Sequence, residues 1–292
     1  MNEVPQKEIR LVSINIFKKV LSICDKLEIN VWIMYGTLIG AARHKGFIPW
    51  DDDFDIAMKR SDYTKFIDYC INNPESIAPY YIDNCLTNFE FPYYITRICD
   101  PNYLLKFDNV DYTSGVFIDL YPFDGMGNNL EYWKAKVRNK EIYLKTGIKG
   151  NKYRSRIELL KFLLWGHNLI NPFVGKNKVA KLIRGTLSIY AKKKSNRYWV
   201  ERLDSIAKKF TWEESEYVAP VAWDDKVRGI KRSWFEKTKW LEFESIRVPV
   251  PGEYKKVLKE LYGNYMTLPP EERRKPTHSY IAYRKNDKKT GM

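Results

Sequence analysis

Asp53-Phe54-Asp55-Ile56 is the stretch that most limits what this 292-residue chain can fold into. Carboxylates alternate with bulky apolar residues, which is the period of a β-strand, where residues two apart share a face. Phe54 and Ile56 then point into a core, and Asp53 and Asp55 point together the other way. Two carboxylates held side by side repel unless something neutralises them. A divalent cation is the usual remedy, and Mg²⁺ sites that handle phosphates use one or two such carboxylates plus phosphate oxygens.

The flanking sequence supports that reading. Val31 to Tyr35 is an apolar strand ending at Gly36, and Leu38 to Arg43 suits a short helix beginning at Gly36-Thr37. Backbone N–H groups exposed at such a turn suit an anionic phosphate. Further on, Gly115 to Pro122 is an apolar strand interrupted by one carboxylate, Asp119. Two carboxylates on one strand and a third from a neighbour are how polymerase-β-like nucleotidyltransferases hold metals. The competing reading of Asp51–Asp55 is a solvated acidic loop, and Gly36-Thr37 upstream with Asp119 downstream weighs against it.

The remaining pattern is mixed α and β. Apolar residues at Ile9, Val12, Ile16, Val20 and Ile23 predict an amphipathic helix over 6–28. The second strand is expected over Asp53–Met58, with Ser61 as the N-cap of a helix to about Ile71. Short strands are expected at Tyr80–Asn84 and Tyr93–Ile98, a turn at Pro122-Phe123-Asp124-Gly125, strands near Trp240–Phe243 and Ile246–Val248, and a last helix from Pro251-Gly252 to Tyr262. The Lys285–Met292 tail reads as polar and mobile. Cys24, Cys70, Cys85 and Cys99 have neither metal-type nor disulfide-framework spacing and read as reduced thiols. Met1–Lys7 has no apolar leader, and no run is long enough to span a bilayer.

The net charge of +14 is unevenly placed. Residues 1–133 carry 12 basic against 19 acidic side chains, residues 134–200 carry 18 against 2, and residues 201–292 carry 20 against 15. The acidic knot therefore sits in the one acidic block. The middle block calls for an anionic partner. Leu159–Trp165 and Phe173-Val174 set bulky apolars beside Lys and Arg, the composition of a membrane-surface helix. A solvated helical face is the alternative. No nucleic-acid-binding module is present, so nucleic acid is not an expected partner.

The run from Tyr35-Gly36-Thr37-Leu38-Ile39-Gly40 through Trp50-Asp51-Asp52-Asp53-Phe54-Asp55-Ile56 resembles the signature of the LicD family, bacterial phosphocholine transferases related to fukutin-type enzymes. Phe117-Ile118-Asp119-Leu120-Tyr121-Pro122-Phe123-Asp124-Gly125 resembles that family's second block, and Leu261-Tyr262-Gly263-Asn264-Tyr265-Met266 with Leu268-Pro269-Pro270 its closing block. Residues 131–240 match no pattern of it. The resemblance implies an α+β fold: a nucleotidyltransferase core with a mixed sheet flanked by helices, plus a basic helical insertion. The units expected are a catalytic core over 1–130, the insertion over 131–200, and a C-terminal part over 201–292 packing back on the core. The implied activity is metal-dependent transfer of phosphocholine from CDP-choline to a sugar hydroxyl of a cell-surface glycan precursor. Glycerol-, ribitol- or ethanolamine-type donors are alternatives within that chemistry, and a catalytically silent membrane-associated scaffold is an alternative outside it.

Carried over by position, Asp53, Asp55 and Asp119 become ligands of Mg²⁺ or Mn²⁺, with Asp119 also a candidate base for the acceptor hydroxyl. Asp51 and Asp52 are either supporting groups or solvent-facing residues. Asp124 rivals Asp119, though its sequence context favours turn chemistry. Gly36, Thr37, Arg43 and Lys45 are candidates for the donor's diphosphate, and His44 is a weaker candidate base. Arg97, a lone cation in an apolar strand, either pairs with a core carboxylate or meets the donor phosphate. Trp50 and Tyr121, with Phe123 and Tyr265, are candidates for a trimethylammonium head group, which aromatic faces hold. His278 reads as a surface residue. The expected partners are a CDP-activated donor, a glycan or lipid-linked glycan acceptor and an anionic membrane. The expected location is cytoplasmic, peripheral on the inner face of the cell membrane.

Overall fold

The computed structural model describes residues 3–107, 112–134, 152–168, 178–224, 226–276 and 280–285. Its centre is a mixed sheet of seven strands: β1 (Trp32–Ile33), β2 (Asp55–Lys59), β3 (Tyr81–Asp83), β4 (Thr96–Phe107), β5 (Thr113–Gly125), β6 (Val218–Ala219) and β9 (Tyr280–Arg284). The strand order is β1-β2-β5-β4-β3, with β6 added to β5 and β9 to β4. Only β2 and β5 run parallel; the other pairs are antiparallel. A separate hairpin joins β7 (Thr238–Phe243) to β8 (Ile246–Pro251).

Alternation along the strands gives the sheet two unlike faces. Phe54, Ile56, Ile98, Ile118 and Leu120 are fully buried, and Ile82↔Ile98, Ile98↔Ile118 and Ile56↔Leu120 are register partners. Helix α1 (Gln6–Leu27) covers this apolar face. Its residues at steps of three and four, from Ile9 to Ile23, are all buried, and the Phe17 ring lies 4.9 Å from Phe54. Each such side chain contributes about 1.5–3 kcal/mol by leaving water. Phe47 and Phe243 pack edge-on against Phe54 from the hairpin side. Helices α3 (Arg60–Asn72) and α4 (Pro74–Ile77) pack against α1, and α2 (Tyr35–Ile39) packs against α9 (Tyr254–Tyr262).

A second hydrophobic cluster gathers Trp133 from α5 (Leu130–Lys134), Ile157, Leu160 and Leu164 from α6 (Lys152–Asn168), and Trp199 and Leu203 from α8 (Asn196–Ala207). Helix α7 (Lys178–Ala191) packs on α6. Arg60 pins this cluster to the sheet. Its guanidinium donates twice to Asp124, at 2.6 and 2.8 Å, and once to Asp204 of α8 at 3.2 Å.

Several expected boundaries move. Pro122-Phe123-Asp124-Gly125 is not a turn: β5 continues through it, paired with β2 as far as Phe123 and with β6 at Asp124 and Gly125. Residue types that suit a turn are overruled here by the half-buried Arg60, which pairs with the buried Asp124. Ser61 does not cap α3, which starts at Arg60 after Lys59 with no side-chain cap. The strand at Val31–Tyr35 shrinks to two residues because Tyr35 already opens α2, and β4 starts at Thr96 rather than Tyr93. Pro251 ends β8, and the last helix starts three residues later. Strands β6 and β9 are unforeseen. Leu169–Val174, His278 and residues 286–292 lie outside the described residues. The four cysteines are free thiols, Cys85 half-buried and the others buried.

Candidate active site

The register of the sheet draws one row of charge across four adjacent strands. Asp55 of β2 stands opposite Asp119 of β5, Asp119 opposite Arg97 of β4, and Arg97 opposite Asp83 of β3. Register partners share a face, so this row lies on the face away from α1. All four side chains are buried. Arg97 Nε donates to Asp119 Oδ1 at 2.9 Å, with both side chains only 3% exposed. Burial works against the guanidinium's charge, yet the adjacent Asp119 carboxylate outweighs it and raises the Arg97 pKa. Five rings surround the guanidinium, Phe117 at 3.8 Å and Tyr93 at 4.6 Å being nearest, followed by Phe107, Phe91 and Tyr112. Asp83 at the end of the row accepts from the Tyr112 hydroxyl and from Asn88 Nδ2.

Among the described residues, no cation pairs with Asp55. Burial, followed by the charges of Asp53, Asp119 and Asp51, holds its carboxyl well above the usual carboxylate range; a hydrogen bond to Tyr121 offsets this in part. Its Oδ1 is buried with no hydrogen-bond partner among the described residues. Its backbone is fixed from the glycine turn, where Thr37 Oγ1 accepts from Asp55 N at 2.9 Å. Gly36 is needed for space: a Cβ built there would meet Asp51 Oδ2 at 2.4 Å. Asp51, Asp52 and Asp53 each bring a carboxylate oxygen within 4.8 Å of the others. The acidic face thus takes in Asp51 and Asp53 from the loop, Asp55 from β2 and Asp119 from β5.

These residues fit a hard divalent cation. The donors are all carboxylate oxygens, the set that Mg²⁺ and Mn²⁺ prefer. A buried carboxylate oxygen without a donor is the kind of group that a cation satisfies.

The other sequence candidates lie in different surroundings. Arg43 Nη1 donates to the Tyr265 carbonyl at 2.7 Å and its Nε to His44 Nε2 at 2.9 Å. Burial and then the Arg43 charge lower the His44 pKa. Lys45 is exposed and pairs with Glu242 at 3.3 Å, on the outer side of the hairpin. Trp50 is half-buried beside His44, with Arg274 above its ring. Tyr121 is buried against Tyr35 and Trp223. Phe123 is core, 5.8 Å from Phe235. Arg97 takes the first of its two alternatives, pairing with a core carboxylate. Asp124 is spent on Arg60, away from the row.

Three hydroxyls near the acidic face have no sequence signal. Burial, with the charges of Asp224 and Asp55 next, raises the Tyr35 pKa, and Tyr35 donates to Asp224 at 3.3 Å. Burial, then Asp55 and Asp51, does the same to Tyr262. Tyr280 of β9 responds to burial, then Asp52 and Asp53, and donates to the Asp52 carbonyl at 2.8 Å. Tyr35 has a φ of +49°, rare for a bulky residue. It is a backbone property that residue identity does not announce.

The carboxylates that β2 and β5 bring together beside the acidic loop are oxygen donors of the kind that a divalent cation takes. Residues 28–147, which contain all of them, match the family model described as LicD/FKTN/FKRP, nucleotidyltransferase domain. Over that stretch the chain is similar to the LicD family. It is also similar, almost end to end, to the lipopolysaccharide cholinephosphotransferase LicD of Haemophilus influenzae. The two are 28% identical over 299 residues, covering 97% of this chain and 99% of the relative. Shorter stretches are similar to uncharacterized proteins of Rickettsia typhi, 43% identical over 51 residues, and Rickettsia prowazekii, 45% identical over 47. Those two matches cover 16% and 18% of the Rickettsia proteins' own lengths.

Proposed function

We propose that this protein is a metal-dependent transferase with a nucleotidyltransferase-type core. It moves phosphocholine from CDP-choline to a sugar hydroxyl of a cell-surface glycan precursor. The observation that carries the chemistry is the direct opposition of Asp55 and Asp119 on parallel strands, beside Asp51 and Asp53. The choice of phosphocholine rests on the full-length similarity to a lipopolysaccharide cholinephosphotransferase.

In this reading Asp53, Asp55 and Asp119 hold Mg²⁺ or Mn²⁺, with Asp51 beside them. The cation, when bound, offsets the charge of the diphosphate and of the departing CMP. The chain's own residues do the rest. Arg97 donates to Asp119 and orients it, so that Asp119 can take the proton of the attacking sugar hydroxyl. Thr37 fixes the start of β2, and the buried Tyr121 hydrogen-bonds Asp55. The hydroxyl oxygen forms a bond to the phosphorus that bears choline, the bond from that phosphorus to the CMP oxygen breaks, and CMP leaves. Positioning and charge placement account for the rate. The acceptor is presented at an anionic membrane surface on the cytoplasmic side.

A donor screen tests this. The enzyme is incubated with CDP-choline, CDP-ethanolamine, CDP-glycerol and CDP-ribitol, with Mg²⁺ and with EDTA, and CMP release is followed. CDP-choline should be used best and EDTA should abolish release. Preference for another CDP-alcohol would reassign the head group. Full activity in EDTA would remove the metal mechanism, and inertness toward every donor would favour a silent scaffold.

A further inference from the structure

Helix α7 is packed inside out. The residues that it buries are small, Gly185, Ser188 and Ala191. They let it approach α6 closely: a Cβ on Gly166 would sit 3.6 Å from Ser188 Cα, and Ser188 Oγ donates to the Gly166 carbonyl at 2.7 Å. Its large apolar side chains face outward instead. Val179, Leu182, Ile183, Ile189 and Tyr190 are between 50% and 66% exposed. Their spacing is that of one continuous helical stripe. A soluble helix that gains from burial would turn this face inward. Trp165 of α6 is 45% exposed and lines a 480 Å³ cavity that Asp224 also lines.

The charge around the stripe selects what covers it. Residues 178–194 carry Lys178, Lys181, Arg184 and Lys192 to Lys194, and not one acidic residue. A second copy of this chain would set cations against cations across a symmetric interface. A nucleic acid would leave the apolar stripe in water. A bilayer with anionic head groups satisfies both halves, taking the stripe into the acyl boundary and the cations at head-group level. Among the described residues no helix is long and apolar enough to cross a membrane, so the contact is with the surface.

We infer that α7, lying flat, is the membrane-docking face of this protein and binds anionic phospholipid. The inference deepens the proposed function by naming the face that meets the membrane, and it rests on that reading only for the presence of an acceptor there. The test is cosedimentation of the full chain with phosphatidylcholine vesicles, with and without phosphatidylglycerol. Two variants are compared with the wild type: Leu182→Glu with Ile183→Glu, and Lys192→Glu with Lys193→Glu and Lys194→Glu. Wild type should pellet with the anionic vesicles only, and less at high salt. The lysine variant should bind about a hundredfold more weakly, at roughly fivefold per cation. The Leu182/Ile183 variant should lose about tenfold or more while keeping its circular dichroism spectrum and melting midpoint. Wild type left in the supernatant, unchanged binding in both variants, or a dimer in light scattering that Leu182→Glu with Ile183→Glu dissolves would each overturn the proposal. Should that variant misfold, the surface lysine variant decides alone. CMP release from CDP-choline in vesicle-free buffer should be unaffected by either variant. Its absence in the wild type would count against the proposed chemistry and leave vesicle binding as it was.

Discussion

Gly36→Ala separates the carboxylate geometry from the stability of the fold. Gly36 lies in α2 with ordinary helical backbone, so alanine costs nothing there and, by restricting the unfolded chain, gains about 0.4–1 kcal/mol. The new methyl would stand 2.4 Å from Asp51 Oδ2. That oxygen must retreat by about 1 Å to reach ordinary contact. What yields is the tip of one side chain rather than backbone, so the fold should absorb it. A displacement of about 1 Å at a site built on positioning can cost roughly a hundredfold in rate. The expected result is a fall of that order in kcat/KM for CMP release, with a metal-free melting midpoint equal to or slightly above wild type. The rise in midpoint on adding Mn²⁺ should shrink as well. Wild-type activity would refute the role of Asp51 at the site. Lost activity with a midpoint many degrees lower would show that the fold was hit and the geometric reasoning was wrong.

Asp55→Asn should raise the metal-free melting midpoint, because it removes a buried charge repelled by Asp53, Asp119 and Asp51, while abolishing transfer and the stabilisation by Mg²⁺ or Mn²⁺. A lower midpoint in the absence of metal would contradict the repulsion. Arg97→Met should cost about 3–5 kcal/mol in urea unfolding, since it strands Asp119 in the core; unchanged stability with a raised KM for the donor would assign Arg97 to the donor phosphate instead. Phe17→Ala should cost about 3–5 kcal/mol by opening a cavity under Phe54 with no effect on donor KM in the folded fraction. A change in donor KM would mean that α1 reaches the site.

The period-two alternation at Asp53–Ile56 and the period-3.6 spacing in α1 are legible because one face of each element meets the core and the other does not. Asp119 is legible as a charge no apolar strand keeps without reason. The row from Asp55 to Asp83 is not, because register between strands far apart in sequence depends on the whole sheet. Asp124 shows the limit from the other side. Its neighbours Pro122 and Gly125 suit a turn, and only the arrival of Arg60 from another element makes a strand the better answer. Asp51 reads equally as a supporting group or a solvent-facing acid until Gly36 is seen to leave it room. The outward stripe of α7 shows in the sequence as amphipathic, but which side faces the protein follows from Gly185, Ser188 and Ala191 fitting against Gly166.

The placement of β2 beside β5 also sets an order of assembly. The acidic loop and β2 leave the ribosome first, and Asp119 follows about sixty residues later, roughly 3–12 s at ~5–20 residues per second. The strands between them must fold back before the two carboxylates can meet, and contacts of such separation form slowly. Strand β9, which lines β4 from Tyr103 to Phe107 and carries the Tyr280 hydroxyl to the Asp52 carbonyl, is made near the end of the chain. A nascent chain therefore carries the acidic loop before the strand that completes it. In the proposed reading, the ligand set comes together only after β5 has been made and has paired with β2.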